Sequence, residues 1–213
     1  MKLFRMLFLF AAMATASAFA ADAPSQEAPD ELVKRVTQEV MDTARTDKEI
    51  KAGNRRRILQ VVEQKILPHV DLERAVSLAV GRHWREATPQ QRQQLIDEFR
   101  TMLIRTYAGA LSLVGDQKLV YKPLRADPDD TEVEVRFEVR QLRGHEPVQV
   151  SYRLYKTQDG WKVYDVNVLG VWLVETYKSS FNTEIAQGGI DGLIRTLSAK
   201  NKELAARFAD PSS

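Results

Sequence analysis

The 213-residue sequence has no cysteine, so disulfide bonds and lipid anchoring through a cysteine are both excluded. It has three histidines, His69, His83 and His145, which are scattered, and none has a second ligand at metal-site spacing such as H-E-x-x-H. A G-x-S-x-G nucleophile elbow is absent, as is a glycine-rich phosphate loop followed by Lys-Ser/Thr. We therefore expect no catalytic residues, no metal site and no cofactor.

A strong surplus of positive charge is also missing. The sequence has 31 basic and 29 acidic residues, and Lys2 and Arg5 lie in a segment that we expect to be removed, which leaves the two signs balanced. Nucleic-acid binders normally carry a marked basic surplus or stripe. The basic run from Arg55 to Arg57 precedes apolar residues at helical spacing, so we interpret it as a solvated helix face. We expect no nucleic-acid partner.

The apolar run from Met6 to Met13 is too short for a membrane helix, which needs about 20 apolar residues. It follows a charged start and precedes Ala18-Phe19-Ala20, the order typical of a secretory signal peptide. We predict that residues 1–20 are a signal peptide cleaved after Ala20, and that residues 21–29 form a flexible leader. The mature chain should leave the cytosol.

Helical spacing of apolar residues extends from about residue 30 to about residue 115. Asp30 is a candidate N-cap of a first helix, Pro68 ends a second, and Asp71 caps a third that ends at Gly81. The sequence Thr-Pro-Gln-Gln at 88–91 predicts a capping box with proline at the first helical position. A long helix should follow, with an apolar stripe at Leu95, Phe99, Leu103, Tyr107 and Leu111.

Residues 118–168 instead show a period of two, which predicts an antiparallel meander of about four strands. The last strand changes phase, since Trp161 and Val163 share one face and Val166 and Val168 the other. A bulge near Tyr164 and Asp165, or apolar cover on both faces, explains the change. Helical spacing returns over residues 170–208. We predict an α+β fold in which helices wrap the sheet, with residues 30–213 as a single domain.

Long rows of aliphatic and aromatic side chains on the predicted strands and helices can close into one core or leave a slot for an apolar ligand. The residues alone do not separate these alternatives. Asp165, on an otherwise apolar strand, is the carboxylate that an enzyme would use as a general base, although a structural hydrogen bond explains it more simply.

Several stretches go beyond a generic pattern. They are residues 67–72 (LPHVDL), 78–92 (LAVGRHWREATPQQR), 160–166 (GWKVYDV), 170–173 (GVWL) and 189–194 (GIDGLI). In this order, and together with the signal peptide, they resemble the MlaC or toluene-tolerance auxiliary family of periplasmic phospholipid-binding proteins of Gram-negative bacteria. The resemblance covers nearly the whole mature chain. One departure is Leu169 before Gly170 and Val171, where the family commonly has glutamate.

The resemblance implies a nuclear-transport-factor-like, cystatin-type cone of sheet and helix with extra N-terminal helices. It also implies a soluble, non-enzymatic, monomeric periplasmic carrier with a diacyl phospholipid as cargo. The implied partners are an outer-membrane lipoprotein and porin complex and an inner-membrane ABC transporter with a lipid-binding hexamer, which together maintain the lipid asymmetry of the outer membrane. The alternatives are an isomerase or dehydratase on the same fold and an adaptor with a solid core.

If the protein is a carrier, the acyl chains should lie between the alternating strands, the long helix and the C-terminal segment. The residues that we expect to line this site are Leu103, Tyr107, Leu111, Val135, Phe137, Val139, Val150, Tyr152, Leu154, Val163, Val171, Leu173 and Phe181.

Overall fold

The computed structural model of the chain describes residues 27–141 and 146–209. The predicted signal peptide, most of the predicted leader and His145 lie outside the described residues. The described helices are α1 (Pro29–Thr46), α2 (Lys48–Lys51), α3 (Arg55–Val61), α4 (Leu72–Val80), α5 (Pro89–Tyr107) and α6 (Leu173–Ala209). The described strands are β1 (Lys118–Tyr121), β2 (Glu132–Arg140), β3 (Val148–Thr157), β4 (Gly160–Val168) and β5 (Val171–Trp172).

Several helices continue into other helical forms. A π-helix (Val62–Ile66) and a 3₁₀ turn (Leu67–His69) extend α3, and a 3₁₀ turn (Gly81–Arg85) follows α4. A further 3₁₀ segment (Ala108–Leu113) extends α5. Helix α6 is interrupted at Gly189, where φ is 66° and ψ is −169°.

The helix boundaries follow from capping side chains. At α5 the Thr88 hydroxyl accepts from the Gln91 amide, and the Gln91 side chain accepts from the Thr88 amide, which confirms the predicted capping box. The Asp71 carboxylate accepts from the amide of Arg74 at 2.8 Å and caps α4, as predicted. The prediction for Asp30 is wrong, because α1 begins at Pro29 with Ala28 as its N-cap. Proline is favoured at a first helical position, where no intrahelical hydrogen bond is lost.

The five strands form one antiparallel sheet in the order β1-β2-β3-β4-β5. The sheet has one strand more than the sequence predicts, and this fifth strand has only two residues. The register between β3 and β4 pairs Arg153 with Asp165 and Leu154 with Val163, so Tyr164 is the extra residue of a β-bulge. The bulge accounts for the predicted change of phase, because it returns the apolar side chains at both ends of β4 to one face of the sheet.

Three clusters of buried side chains hold these elements together. Helices α4, α5 and α6 share a core around Leu95, Phe99 and Leu193. The apolar face of the sheet packs against the start of α1, and the end of α1 packs against α2, α3 and Ala108. Helices thus cover one antiparallel sheet, and the predicted α+β fold class is confirmed.

Candidate functional site

An apolar cavity lies between the apolar face of the sheet and α1. It has a volume of about 550 Å³. Helix α1 contributes the apolar face that it turns to the sheet, and the chain segment 110–114 closes one side. The sheet contributes alternate residues of β2, β3 and β4, because side chains two apart in a strand point to the same face. We call this space the sheet cavity.

A second apolar cavity, of about 270 Å³, lies among the helices. Its walls come from the C-terminal half of α5, from the segment 62–72 and from Leu173 and Val174 at the start of α6. Tyr107 lines it and is about half exposed, so this cavity opens to solvent at the end of α5. We call it the helix cavity.

The two cavities adjoin along a shared wall. Its members line both spaces: Ile66, Val70, Ala110, Leu111, Val163 and Val166. Val70 and Val163 form an isolated parallel bridge, and the amide of Asp71 donates to the carbonyl of Val163 at 2.8 Å. The β4 bulge lies directly after Val163, and the π-helix ends at Ile66. The shared wall therefore lies next to two irregular backbone segments. Both π-bulges and β-bulges occur frequently at functional sites.

Two titratable side chains of the sheet-cavity lining, Tyr152 and His69, are held in neutral form. Burial raises the pKa of Tyr152, on the wall of the sheet cavity, to about 12 because the phenolate is poorly solvated there. Burial also lowers the pKa of His69, with Arg35 and Lys162 adding repulsion of the imidazolium. Both groups are uncharged at neutral pH, so the lining they belong to suits an apolar ligand.

Asp165 lies beside the helix cavity with almost no solvent exposure. Its Oδ1 accepts from the amides of Val166, at 2.9 Å, and Val174, at 3.0 Å, and so satisfies the start of α6. Its Oδ2 lies 3.5 Å from the guanidinium of Arg153, which stacks on the ring of Trp172. Burial nevertheless raises the pKa of this carboxyl. The structural interpretation of Asp165 as a hydrogen-bonding group is confirmed, since it accepts backbone hydrogen bonds at the start of α6.

The structure brings nine of the thirteen expected lining residues to the two cavities. Those at the sheet cavity are Leu111, Phe137, Val139, Val150, Tyr152 and Val163. Those at the helix cavity are Leu103, Tyr107, Leu111, Val163 and Leu173.

The other four expected residues lie elsewhere. Val135 and Leu154 are fully packed in the core between the sheet and α1. Phe181 belongs to the helical core, where its ring contacts the edge of Phe99 at a centroid distance of 5.5 Å. Val171 is 61% exposed on the two-residue strand β5 and lines neither cavity. A short edge strand after a tight turn leaves that side chain without a covering layer.

The sequence analysis missed two groups of lining residues. One is the apolar face of α1, with Leu32, Val36 and Val40, and the other is the stretch from Val62 to Val70. The signal for α1 was present, because an amphipathic helix must bury its apolar stripe against another apolar surface and the sheet offers one. The sequence contains no comparable signal for the π-helix, because the extra residue in its turn depends on packing against distant segments.

Neither a metal site nor a membrane-crossing helix occurs in the described part of the chain. Residues 27–141 and 146–209 contain no cluster of three His, Asp or Glu side chains placed to hold a metal ion. In the same ranges no helix combines the length and the apolar character needed to cross a membrane. In the basic run, the Arg57 Nε donates to the Asp47 carboxylate at 2.7 Å, so this guanidinium is engaged within the fold.

Comparison with known proteins identifies relatives of this chain. The family model described as MlaC protein matches residues 34–199. The intermembrane phospholipid transport system binding protein MlaC of Haemophilus influenzae is 27% identical over 136 residues, which are 63% of this chain and 64% of that protein's length. The toluene tolerance protein ttg2D of Pseudomonas putida is 26% identical over 166 residues, 78% of this chain and 76% of that protein.

A solved structure resembles the fold described above. The phospholipid-binding protein of Ralstonia solanacearum, determined in complex with a phospholipid, is 45% identical to this chain and superposes with a TM-score of 0.78. The match covers 83% of this chain and 98% of that one.

Proposed function

The chain belongs to the MlaC family, and from this premise we propose that it carries a diacyl phospholipid through the periplasm. The observation that supports the proposal best is the pair of adjoining apolar cavities. They lie in a chain whose sequence is 45% identical to that of a protein solved in complex with a phospholipid. Ligand pockets for small molecules measure about 300–1,000 Å³, and the sheet cavity lies within that range.

The physical need for a carrier is large. Two acyl chains contain roughly 30 methylenes, and at about 0.8 kcal/mol each their exposure to water costs on the order of 20 kcal/mol. Free diffusion of the lipid across an aqueous compartment is therefore negligible. A carrier needs an apolar space for the tails and a mouth at which the head group stays in water. It needs no covalent step.

We propose that the acyl chains lie in the sheet cavity and the helix cavity, on either side of the shared wall. The polar head group then remains at the open end of the sheet cavity, which is the end where the lining residues Leu113 and Val168 are exposed and where the amide side chains of Gln117 and Gln141 belong to the lining. Amides donate and accept hydrogen bonds without a fixed charge, so they suit a head group that also contacts water.

The proposed route has two ends. The protein works as a monomer between an outer-membrane lipoprotein and porin complex and an inner-membrane ABC transporter with a lipid-binding hexamer, and so maintains the lipid asymmetry of the outer membrane. The name of the Haemophilus influenzae relative, an intermembrane phospholipid transport system binding protein, supports this assignment. The signal peptide that the sequence predicts supplies the periplasmic address, with Ala21 as the first mature residue.

The rival function is an enzyme that uses Asp165 as a general base, and the raised pKa of this buried carboxyl favours it. Against it, the Oδ1 lone pairs are already taken by two backbone amides and Oδ2 faces Arg153. A base must have a free lone pair directed at the substrate proton. The carrier therefore accounts for this carboxyl better, as part of the frame that holds α6 on the sheet.

The test is organic extraction of the protein purified from periplasm without detergent, followed by mass spectrometry. We expect about one phospholipid per chain, and none from an unrelated periplasmic protein purified in parallel. The enzyme and the solid-core adaptor both predict no stoichiometric lipid. A lipid-free protein would therefore overturn the proposed function.

A further inference from the structure

The chain segment before α4 covers an edge of the sheet. Among the described strands, β5 pairs only with the last two residues of β4, so no strand covers the edge of β4 in its first half. Val70 forms its parallel bridge with Val163 at this edge, and the Lys162 ammonium donates to the carbonyl of Pro68 at 2.6 Å. Residues 68–71 thus lie where a further strand would pair. This contact holds Val70 in the shared wall, where it lines both cavities.

Side chains on the other face of the sheet fasten the same segment. Tyr155 points away from the cavities, because it follows the inward-facing Leu154 on β3. Its hydroxyl donates to the Asp71 carboxylate, which also caps α4. The Arg74 guanidinium lies over the rings of Tyr155 and Tyr164, at 4.0 and 4.6 Å from their centroids, and donates to the Glu132 carboxylate. We call four of these residues the edge clasp: Asp71, Arg74, Tyr155 and Lys162.

The chemistry of the edge clasp favours exact positioning over stability. The hydrogen bond to Asp71 raises the pKa of Tyr155 to about 12, so its hydroxyl remains a donor at neutral pH. The Arg74 Nε is buried and, within the described part of the chain, has no hydrogen-bond partner. A buried donor without a partner destabilises the fold, and an apolar side chain would cover the two rings without this cost. Buried polar contacts of this kind fix one arrangement among several in some proteins.

The two cavities depend on the fastened segment to different degrees. The smaller helix cavity takes five lining residues from residues 62–72, namely Val62, Ile66, Leu67, Val70 and Leu72. The larger sheet cavity takes three, namely Ile66, His69 and Val70. The four clasp residues lie outside both linings, so they act on the cavities through this segment. A shift of the segment therefore changes the helix cavity more than the sheet cavity.

We propose that the edge clasp positions the shared wall and thereby makes the protein prefer lipids with two acyl chains over lipids with one. The proposal rests on the proposed carrier function. While the clasp holds Val70 on Val163, each cavity keeps its own wall, and the two chains lie on either side of it. A one-chain lipid needs only the sheet cavity, whose lining depends less on the fastened segment. The clasp residues are positioning residues, since they act on the lipid through Val70.

The experiment compares Tyr155→Phe with the wild-type protein. Phenylalanine keeps the ring beneath Arg74 and removes only the hydroxyl that donates to Asp71. Each delipidated protein is incubated with an equimolar mixture of phosphatidylglycerol and lysophosphatidylglycerol that carry the same acyl chain, and native mass spectrometry gives the ratio of the two bound lipids. Thr157→Val is the matched control. It removes a hydroxyl from the same face of β3, one that donates to the Gly160 carbonyl at 2.7 Å in the hairpin turn.

We expect the ratio of bound two-chain to one-chain lipid to fall about tenfold in Tyr155→Phe, a change that the loss of a hydrogen bond to a charged group can supply. Thr157→Val should keep the wild-type ratio. A tyrosine with a merely structural role would lower the binding of both lipids together, and that unchanged ratio would overturn the proposal. An equal fall in Thr157→Val would overturn it as well. If Tyr155→Phe is not recovered folded, Lys162→Met, which removes the donor to Pro68, is judged by the same ratio. A wild-type protein that binds neither lipid would instead refute the carrier function.

Discussion

Val150 and Leu154 lie four residues apart on the same face of β3, yet the structure gives them opposite surroundings. Val150 lines the sheet cavity and is partly exposed, whereas Leu154 has no exposure and packs in the core beneath α1. A glutamate at each position therefore tests whether the cavity is a ligand site or a gap in an ordinary core. The same substitution is used at both positions, so the difference in outcome reports the surroundings.

Leu154→Glu should destabilise the fold strongly. Keeping the new carboxyl neutral at pH 7 requires its pKa to rise from about 4.3 to above 7, which costs about 4 kcal/mol. The lost burial of leucine adds about 2 kcal/mol. The total of about 6 kcal/mol is a large part of the 5–15 kcal/mol that typically stabilises a domain. At about 2–4 °C per kcal/mol for a chain of this size, we expect the melting temperature to fall by about 20 °C, or no folded protein.

Val150→Glu should instead expel the lipid and leave the fold largely intact. In the lipid-free protein the carboxylate reaches water through the open end of the sheet cavity, where Val168 and Leu113 are exposed. When an acyl chain fills the cavity, the carboxylate loses this contact with water, so the cost of several kcal/mol for burying it destabilises the lipid complex. We expect extractable phospholipid to fall at least tenfold, with a loss in melting temperature no larger than that caused by removing the lipid from the wild-type protein.

The measurements are co-purified phospholipid by mass spectrometry and thermal melting by circular dichroism. Val171→Glu is the matched control, because this valine is exposed and lines neither cavity, and it should keep both lipid and stability. A well-folded Val150→Glu protein with undiminished lipid would show that the acyl chains lie elsewhere. If Val150→Glu unfolds like Leu154→Glu while the wild-type protein carries no lipid, the solid-core adaptor is correct.

Three further predictions concern the frame around the site. Gly189→Ala should lower the free energy of unfolding by about 1–3 kcal/mol in denaturant titration, because its backbone lies in a region open only to glycine, whereas Gly188→Ala, at ordinary helical φ, should not. Thr88→Ala removes the capping box of α5 and should cost about 1 kcal/mol in the same assay. Hydrogen bonds from Lys122, Arg140 and Gln149 lower the pKa of Glu138 to about 2. The contribution of this carboxylate to the stability of the fold is therefore complete above about pH 5 and is lost as the pH falls toward 2. Glu138→Gln should accordingly reduce the fall of the melting temperature at acid pH in a series of thermal melts.

The features that the sequence predicts correctly are those that neighbouring residues determine. The capping box at Thr88, the cap at Asp71 and the alternation of β2 each depend on groups within a few positions along the chain. Even the bulge at Tyr164 leaves a local sign, since the apolar residues of β4 change phase around it. The failure at Asp30 is of the same kind, because two adjacent start signals compete and proline at the first helical position takes precedence.

The division of the apolar face between core and cavity could not be predicted, because it depends on contacts between distant segments. Val135 and Val139 lie on the same face of β2, but α1 packs closely on Val135 and leaves space beside Val139. Phe181 has the expected helical spacing, yet α5 rather than the sheet lies opposite it. Hydrophobic periodicity predicts that a side chain is buried, but it does not predict which segment of the chain packs against it.

The position of the shared wall explains why this fold keeps an internal space that its regular elements would otherwise close. Side chains of ideal strands and helices interdigitate at nearly crystalline density, so a cavity requires a departure from regular geometry. Here the π-helix ends at Ile66, shortly before Val70, and the β4 bulge at Tyr164 directly follows Val163, the partner of Val70 in the isolated bridge. Ile66, Val70 and Val163 line both the sheet cavity and the helix cavity, so the two spaces adjoin at these two departures from regular geometry.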